Sequence, residues 1–322
     1  WDEVSRLSKL GLLRIKLPTV TGFRQELRLA DGEIRITAGG VTTRVWIDAN
    51  QPVVHVEMAG TQPFTTSVAH ETWRRQQKTL TGAEVRACWG QVGSPDPLII
   101  SPDTVLDGQN NQIVFYHRNA TSVWEKNLRN QGLDALVIPA NDPLLHRTFG
   151  ALVRGGNLIQ DGKNKLTAAQ PATSFSIKVH VRTERAPTAG DWVNQVTAQA
   201  QTTEGTPLAA ARTAHANWWQ AFWNRSWIVA NESGSSAAQT VTNGYTLQRW
   251  VNACAGRGAY PIKFNGSLFT VETLTNPVQS YNGHCQFDAD FREWGNPYWA
   301  QNTRLPYWTM PAAGDFDLMK PL

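Results

Sequence analysis

The chain has few of the residues that bind metals or form disulfides. Its three cysteines, Cys88, Cys254 and Cys285, lie far apart, and its seven histidines include no pair at the spacing of metal ligands. We therefore expect no metal and no cofactor. The cysteine spacings leave two alternatives open, one disulfide between Cys254 and Cys285 or an intracellular chain with three buried thiols.

Charge and long apolar runs are also scarce. Charged residues make up 17% of the 322 positions, which is ordinary for a globular protein and too few for a disordered one. Lysine and arginine exceed aspartate and glutamate by 30 to 26, but they form no cluster, which argues against a nucleic-acid partner. No run of about 18 apolar residues occurs, so we expect no membrane span.

The first part of the chain shows the period-two alternation of β-strands. One face of each segment is apolar and the other carries Arg, Glu and Thr, and Asp31-Gly32 is a hairpin turn signal. The alternation predicts strands at residues 12–17, 23–29, 33–37, 41–47, 53–58, 112–117, 150–154 and 174–182. We expect an N-terminal antiparallel β-supersandwich over residues 1–186.

After Ala186-Pro187 the apolar residues take helical spacing. Helices are predicted at residues 191–202, 208–223 and 236–254, and from 299 to about 306. We divide this part into linker helices at 187–235 and a helical domain at 236–322. The chain ends without a tail-like composition, so we expect that helical domain to be truncated.

Tryptophan is unusually frequent, with 14 residues, of which eight lie in the last third. Trp218, Trp219, Trp223 and Trp227 follow helical spacing and predict a seam between a linker helix and the sandwich. Residues 287–308 mix aromatics with arginines, carboxylates and carboxamides. Such a mixture is typical of a sugar site, where flat rings stack on pyranose faces and polar groups bind hydroxyls. The alternative is a buried aromatic helix whose polar residues serve as caps and ion pairs.

The order of sandwich, linker helices and helical domain resembles inverting glycosidases with an (α/α)6 barrel, such as the 1,2-α-L-fucosidase family. More closely, the chain resembles a glycosyl-hydrolase-like group catalogued as a domain of unknown function. The segments that carry this closer resemblance are WDE (1–3), LSKLG (7–11), FRQEL (23–27), RVWIDAN (44–50), DFREWG (290–295) and QNTRLPYW (301–308). The resemblance spans the whole chain and implies that residues 236–322 are the first part of the barrel.

The resemblance also implies site residues. Fucosidase-like enzymes carry an Asn-x-Asn pair ahead of an Asn-Tyr-Trp, and the amides of the pair help a carboxylate orient the attacking water. Tyr307-Trp308 matches that Tyr-Trp, so Asn302 matches the second Asn, whereas Ala300 stands in place of the first. Residues 260–269 resemble the segment that follows the first barrel helix in these enzymes, which would place Asn265 near the pocket floor.

We accordingly predict two groups of site residues. The catalytic candidates are Asn302, Asp290 and Glu293. The substrate-binding candidates are Arg304, Trp299, Tyr298, Arg292 and Asn265. For each the alternative is structural: a helix cap for Asn302, ion pairs for the arginines and carboxylates, and core packing for the aromatics.

These features predict a glycoside hydrolase, inverting by resemblance, that acts on a plant or microbial oligo- or polysaccharide. The chain would hold the sandwich and one edge of the active site and be inactive alone. Inversion needs two carboxyl groups roughly 6.5–9.5 Å apart, so the second is expected in the rest of the barrel, as missing sequence or a second chain. Secretion or a periplasmic location is expected, although the chain contains no signal peptide.

Two other functions remain open at this point. A polysaccharide lyase with an (α/α) toroid would use residue types that His284, Asn302, Arg304 and Tyr307 supply. A non-catalytic carbohydrate-binding protein would need only the aromatic and amide residues. The products separate the first two, because a lyase leaves an unsaturated sugar that absorbs in the ultraviolet.

Overall fold

The computed structural model describes residues 1–234, 236–263, 278–280, 283–285, 287–292, 295–296 and 298–322, with the backbone alone at 278–280 and 283–285. The strands in these residues are β1 (Leu12–Lys16), β2 (Arg24–Arg28), β3 (Glu33–Ala38), β4 (Val41–Ile47), β5 (Val53–Phe64), β6 (Ser67–Glu71), β7 (Lys78–Leu80), β8 (Leu98–Ile100), β9 (Thr104–Val105), β10 (Gln112–Arg118), β11 (Arg147–Gly156), β12 (Leu158–Gln160), β13 (Lys165–Ala168), β14 (Ala172–Arg185), β15 (Val278–Ser280) and β16 (Gly283–Cys285).

The α-helices are α1 (Trp124–Asn130), α2 (Ala189–Glu204), α3 (Leu208–Trp223), α4 (Ser236–Ala255), α5 (Ala300–Thr303) and α6 (Met310–Ala313). Short 3-10 helices occur at Gly82–Gln91, Asp134–Leu136, Pro139–Asn141, Leu305–Tyr307 and Phe316–Met319.

Two antiparallel sheets form the sandwich. The larger has the strand order β2-β3-β4-β5-β14-β11-β10-β9, and the smaller has the order β1-β6-β13-β12. Val68 and Leu166 of the smaller sheet pack against Met58, Ile113 and Ile177 of the larger one, and all five are buried. The predicted antiparallel sandwich is confirmed, and the last strand of its larger sheet ends at Arg185.

Strand β10 shows why the larger sheet is covered on both faces. Because side chains alternate along a strand, Ile113 faces the sandwich core while Val114 and Tyr116 face the other side. There Trp192 and Val196 of α2 cover them. A strand that is apolar at successive positions therefore has a sheet on one face and a helix on the other.

Helix α2 begins with a capping box and buries one stripe. The Thr188 side chain accepts a hydrogen bond from the Asp191 N–H, and the Asp191 carboxylate accepts one from the Thr188 N–H. Its buried residues recur every three or four positions, at Trp192, Val196, Ala200 and Thr203. This spacing lays the helix along β11 and β14.

Helix α3 joins the sandwich to the helical part, as its tryptophans predict. Trp223 Nε1 donates to the carbonyl of Leu29 at 2.9 Å, and Trp219 stacks on Trp250 of α4. The turn glycine Gly32 has φ +63°, and a Cβ there would lie 1.9 Å from Trp219 Nε1, so only glycine fits. Trp227, in contrast, is 72% exposed and takes no part in this seam.

The helix predicted from residue 299 is shorter than expected. α5 ends at Thr303, and a 3-10 turn follows at Leu305–Tyr307. Pro306 has no N–H to continue an α-helical ladder, which accounts for the break.

Within the described ranges, no helix is long and apolar enough to span a membrane. The same ranges contain no group of side chains that could hold a metal ion. Cys254, one partner of the disulfide considered above, carries a free thiol, as does Cys88.

Candidate functional site

A buried polar network surrounds Asp290, one of the predicted catalytic residues. Asp290 Oδ2 accepts hydrogen bonds from Trp73 Nε1 at 2.7 Å and Arg74 Nη1 at 2.6 Å, and Oδ1 accepts one from the Lys9 N–H at 2.7 Å. Arg6 Nη2 lies 3.5 Å from Oδ2, and the Asp290 side chain has no solvent exposure. Four donor and charge contacts thus hold a carboxylate that no solvent reaches, which favours a structural anchor over a general base.

The N-terminal segment enters this network through Asp2. Its carboxylate accepts from Arg6 Nε at 2.8 Å, from the Arg6 N–H at 2.9 Å and from Ser8 Oγ at 2.9 Å. Arg6 in turn reaches Asp288 and Asp290 with its remaining nitrogens. Arg6 therefore joins the N-terminal segment to the segment around residue 290.

The network continues inward from Arg74 to a histidine between two carboxylates. Arg74 Nε donates to Asp103 Oδ1 at 2.7 Å, and His117 Nδ1 lies 2.9 Å from the same oxygen. His117 Nε2 lies 3.1 Å from Glu3 Oε2. Burial alone would lower the pKa of His117, but the hydrogen bonds to Asp103 and Glu3 outweigh it and raise the pKa to about 9. Both ring nitrogens then donate, so His117 is a buried imidazolium at neutral pH.

The outer edge of the network contains two carboxylates that share one lysine. Lys78 Nζ lies 3.1 Å from Asp288 Oδ2 and also pairs with Glu84. Burial raises the pKa of Glu84, and Lys78 only partly offsets it. For Asp288 burial is outweighed by Arg6 and Lys78, which lower the pKa of the carboxyl. The Lys78 side chain is 42% exposed, so solvent reaches this edge.

Sequence reasoning missed the sandwich side of this network. Trp73 and Arg74 lie in the loop after β6, and Lys78 begins β7. The one available signal was Trp73-Arg74-Arg75, a Trp–Arg combination outside any predicted strand. Nothing in the local pattern shows that Arg74 contacts a carboxylate 216 residues away.

A second anchor fixes the chain on the far side of the predicted sugar-binding residues. Arg249 of α4 donates to both oxygens of Asp315, at 3.0 and 2.9 Å, and to the carbonyl of Phe222 at 3.0 Å. The side chains of Arg249 and Asp315 are both 1% exposed. Residues 298–308 lie between this ion pair and the Asp290 network along the chain.

Tyr298 is half-buried and Tyr307 is buried, and both contact neighbouring residues. The Tyr298 ring lies edge-on to Trp1 at 5.8 Å, and Lys263 Nζ is 4.2 Å from its centroid. Burial raises the pKa of Tyr298 to about 12 and lowers that of Lys263 to about 8. Tyr307 is buried, and its hydroxyl accepts a hydrogen bond from the Ile262 N–H at 2.8 Å.

The tryptophans that follow these two tyrosines in the sequence are exposed. Trp299 is 43% and Trp308 is 64% exposed. The Arg304 guanidinium donates to the Gln301 carbonyl at 2.6 Å and lies 5.3 Å from the Trp308 ring centroid. We call Trp299, Asn302, Arg304 and Trp308 the aromatic–amide surface.

Asn302 does not cap its own helix. It lies inside α5, whose N-cap is Trp299 and has no side-chain cap. Asn302 is half-buried, and among the residues that the structure describes its carboxamide has no hydrogen-bond partner. The amide is therefore available to a ligand at this position.

Three predicted site residues remain, and the structure describes one of them. Arg292 is half-buried, and burial lowers its pKa. Glu293 and Asn265 lie outside the described residues. No hydrogen bond or ion pair within the described ranges joins Asp290 to Asn302 or Arg304, so the predicted candidates separate into a buried anchor and an exposed surface.

Comparisons with known proteins support a family but say little of activity. A family model described as "Domain of unknown function (DUF5703)", in its N-terminal part, matches residues 1–228. No curated protein matches the chain. Among solved structures the chain is similar to a "Putative kojibiose phosphorylase from human microbiome", with 12% identity and a TM-score of 0.45. That match covers 77% of this chain and 28% of the other, so the chain spans less than a third of that protein's length.

Proposed function

This chain belongs to the family described as "Domain of unknown function (DUF5703)", and we propose that it forms the sandwich and one edge of the active site of a glycoside hydrolase. The substrate class we propose is a plant or microbial oligo- or polysaccharide, cleaved with inversion. The fold proposed for the helical part is the beginning of an (α/α)6 barrel, as the resemblance of residues 290–308 implies.

The main support for this proposal is the carboxamide of Asn302, which has no hydrogen-bond partner among the described residues and lies near exposed aromatic residues. An amide that neither caps its helix nor bonds another described residue is suited to hold a water or a sugar hydroxyl. Trp299 and Trp308 expose ring surface of the kind that stacks on pyranose C–H faces. In this proposal Asn302 orients the attacking water, and Arg304 and Trp299 bind the sugar.

The other predicted residues have three kinds of proposed role: anchoring the segment, contacting the sugar, and acting as acid or base. Asp290 holds the segment in place through Arg74 and Lys9. Tyr298, Arg292 and Asn265 are proposed sugar contacts, and Glu293 is the proposed acid or base on this edge. The second carboxyl group is proposed to come from the rest of the barrel, because residues close together on one loop do not face each other across a sugar ring.

The lyase alternative has less support from the geometry. A lyase base must take the C5 proton of a uronate, and Tyr307 was one candidate. Its hydroxyl is buried, accepts a hydrogen bond from Ile262 and has its pKa raised by burial. A tyrosine in that environment is a poor base, which weakens this alternative; the side chain of His284, the other candidate base, lies outside the described residues.

The experiment is a product analysis with the full-length protein. We expect release of reducing sugar from an oligosaccharide panel, and proton NMR of the first product should show the anomeric configuration opposite to that of the substrate. An ultraviolet-absorbing product would instead establish a lyase. Retention of configuration would contradict the inverting mechanism, and binding without turnover would leave a carbohydrate-binding protein.

A further inference from the structure

A cavity of about 580 Å³ lies beside the start of α3 and shares no lining residue with the aromatic–amide surface. Its wall includes Arg44 of β4, Glu57 of β5 and Arg212 of α3. Glu57 alternates with the core residue Met58, so Glu57 and its register partner Arg44 project from the face of the larger sheet that is opposite the sandwich core. The volume is within the range of small-molecule sites, roughly 300–1,000 Å³.

Small side chains leave this space open. Ser174 and Ser176 of β14 and Ala59 of β5 line the cavity together with Gly156. In the antiparallel register Ser174 pairs with Ala59, and Ser176 pairs with Glu57 and Gly156. The two serine hydroxyls supply hydrogen-bonding groups at a part of the wall where no large side chain fills the volume.

The negative charge of the cavity is already paired. Glu57 accepts from Trp46 Nε1 at 2.8 Å and from Arg212 Nε at 3.2 Å, and Arg212 Nη2 contacts its second oxygen. Both carboxylate oxygens therefore have a donor. The charges of Glu57 and Arg212 therefore compensate each other.

Arg44 is the second arginine of the cavity. In the sheet register it lies between Arg35 on β3 and Glu57 on β5. Arg35 pairs with Glu33 at 3.0 Å, and Glu57 is taken by Arg212. Within the described ranges the half-buried guanidinium of Arg44 makes no hydrogen bond or ion pair. The cavity thus contains two arginines and one carboxylate.

We propose that this cavity, here named the Arg44 cavity, binds the oxyanion group of a small ligand, either the carboxylate of an acidic sugar or a phosphate. The planar guanidinium of Arg44 binds the oxyanion with two parallel N–H donors, the geometry that arginine offers to carboxylate and phosphate. Arg212 remains paired with Glu57 on the facing wall, and Ser174 and Ser176 bind hydroxyl or further oxyanion oxygens. The site uses no residue of the aromatic–amide surface, so it stands independently of the hydrolase proposal.

The test is isothermal titration calorimetry of the chain with glucuronate, inorganic phosphate and glucose at low ionic strength. We expect glucuronate or phosphate to bind and glucose not to bind, with affinity that falls as salt is added because the contacts are ionic. The two anions distinguish the sources: binding of glucuronate alone assigns an acidic sugar, and binding of phosphate alone assigns a phosphate group.

Two variants and a matched control locate the binding. Arg44→Gln should weaken anion binding about tenfold or more, because a charge-assisted pair is lost. Ser176→Leu should abolish it by filling the cavity. Arg24→Gln, on β2 of the same sheet but exposed and paired with Glu26, should leave affinity unchanged. Circular dichroism verifies folding of each variant.

Absence of anion binding by the unaltered chain would overturn the proposal. So would anion affinity unchanged in both folded cavity variants, or glucose binding as tight as glucuronate binding. Loss of affinity in Arg24→Gln equal to that in Arg44→Gln would show nonspecific charge attraction and would overturn it as well.

Discussion

Two neighbouring parts of the C-terminal segment differ in how their polar groups are used. At Asp290 the carboxylate is fully buried and receives donors from two other segments of the chain, at Lys9 and at Trp73-Arg74. At Asn302 the carboxamide is half-buried and has no partner within the described residues. The contrast shows that one polar, aromatic stretch combines two roles, a buried anchor and an exposed surface. Composition averaged over the stretch does not distinguish them.

The largest expected effect comes from breaking the anchor. Arg74→Met removes the donor shared by Asp290 and Asp103 and leaves both carboxylates buried with fewer partners. Loss of one partner of a buried ion pair costs about 3–5 kcal/mol, so the free energy of unfolding should fall by that amount. Urea denaturation followed by circular dichroism measures it.

Arg304→Met is the matched control on the exposed surface. Arg304 contacts the Gln301 carbonyl and the Trp308 ring in solvent, so the change should remain within about 0.5 kcal/mol. Equal losses in the two variants would remove the distinction between anchor and surface.

The second prediction concerns pH and His117. The pKa of His117 is raised from 6.5 to about 9 in the folded chain. Its contribution to stability is therefore fully present below pH 6.5 and is lost as the pH rises through about 9, an effect on the order of 3 kcal/mol. The carboxylates Glu3 and Asp103 have lowered pKa values, so their contributions are lost at acidic pH instead.

His117→Gln should flatten the dependence of unfolding free energy on pH over this alkaline range. Urea denaturation at several pH values between neutral and alkaline gives the slope. An unchanged slope in the variant would mean that His117 is not the buried imidazolium described above.

The smallest effect on stability is expected at Trp308. Its ring is mostly exposed, so Trp308→Ala should change the unfolding free energy by about 0.5 kcal/mol or less. If the ring stacks on a sugar, affinity for oligosaccharide in the full-length protein should fall several-fold. Thermal unfolding and titration calorimetry separate the two effects, and a large loss of stability with unchanged affinity would place Trp308 with the anchor.

The sequence predicted best those elements whose apolar residues recur at a regular spacing. Alternation identified β3, β4 and β10, and helical spacing identified α2, α3 and α4, because each element buries a face that its own residues encode. It also placed Trp223 against the sandwich. Exposed Trp227 departs from the same stripe because the helix ends at Trp223.

The candidate site was less predictable because its partners are distant in sequence. No local period links Asp290 to Arg74 or Arg6, so an anchor and a catalytic acid look alike in the chain. Tyr307 likewise looks like an open site residue until Ile262 is seen to donate to its hydroxyl. The roles of Asn302 and Arg304 remain predictions, now with an available amide and an exposed guanidinium as support.

The most direct test of the central claim is steady-state kinetics of Asn302→Ala against Gln301→Ala in the full-length protein. Gln301 is the neighbouring exposed carboxamide and serves as the matched control. If Asn302 orients water, its variant should lose roughly 100-fold in kcat with little change in KM, whereas Gln301→Ala should keep its kcat. Equal, near-normal kcat values in two folded variants would contradict the account and return Asn302 to a structural role.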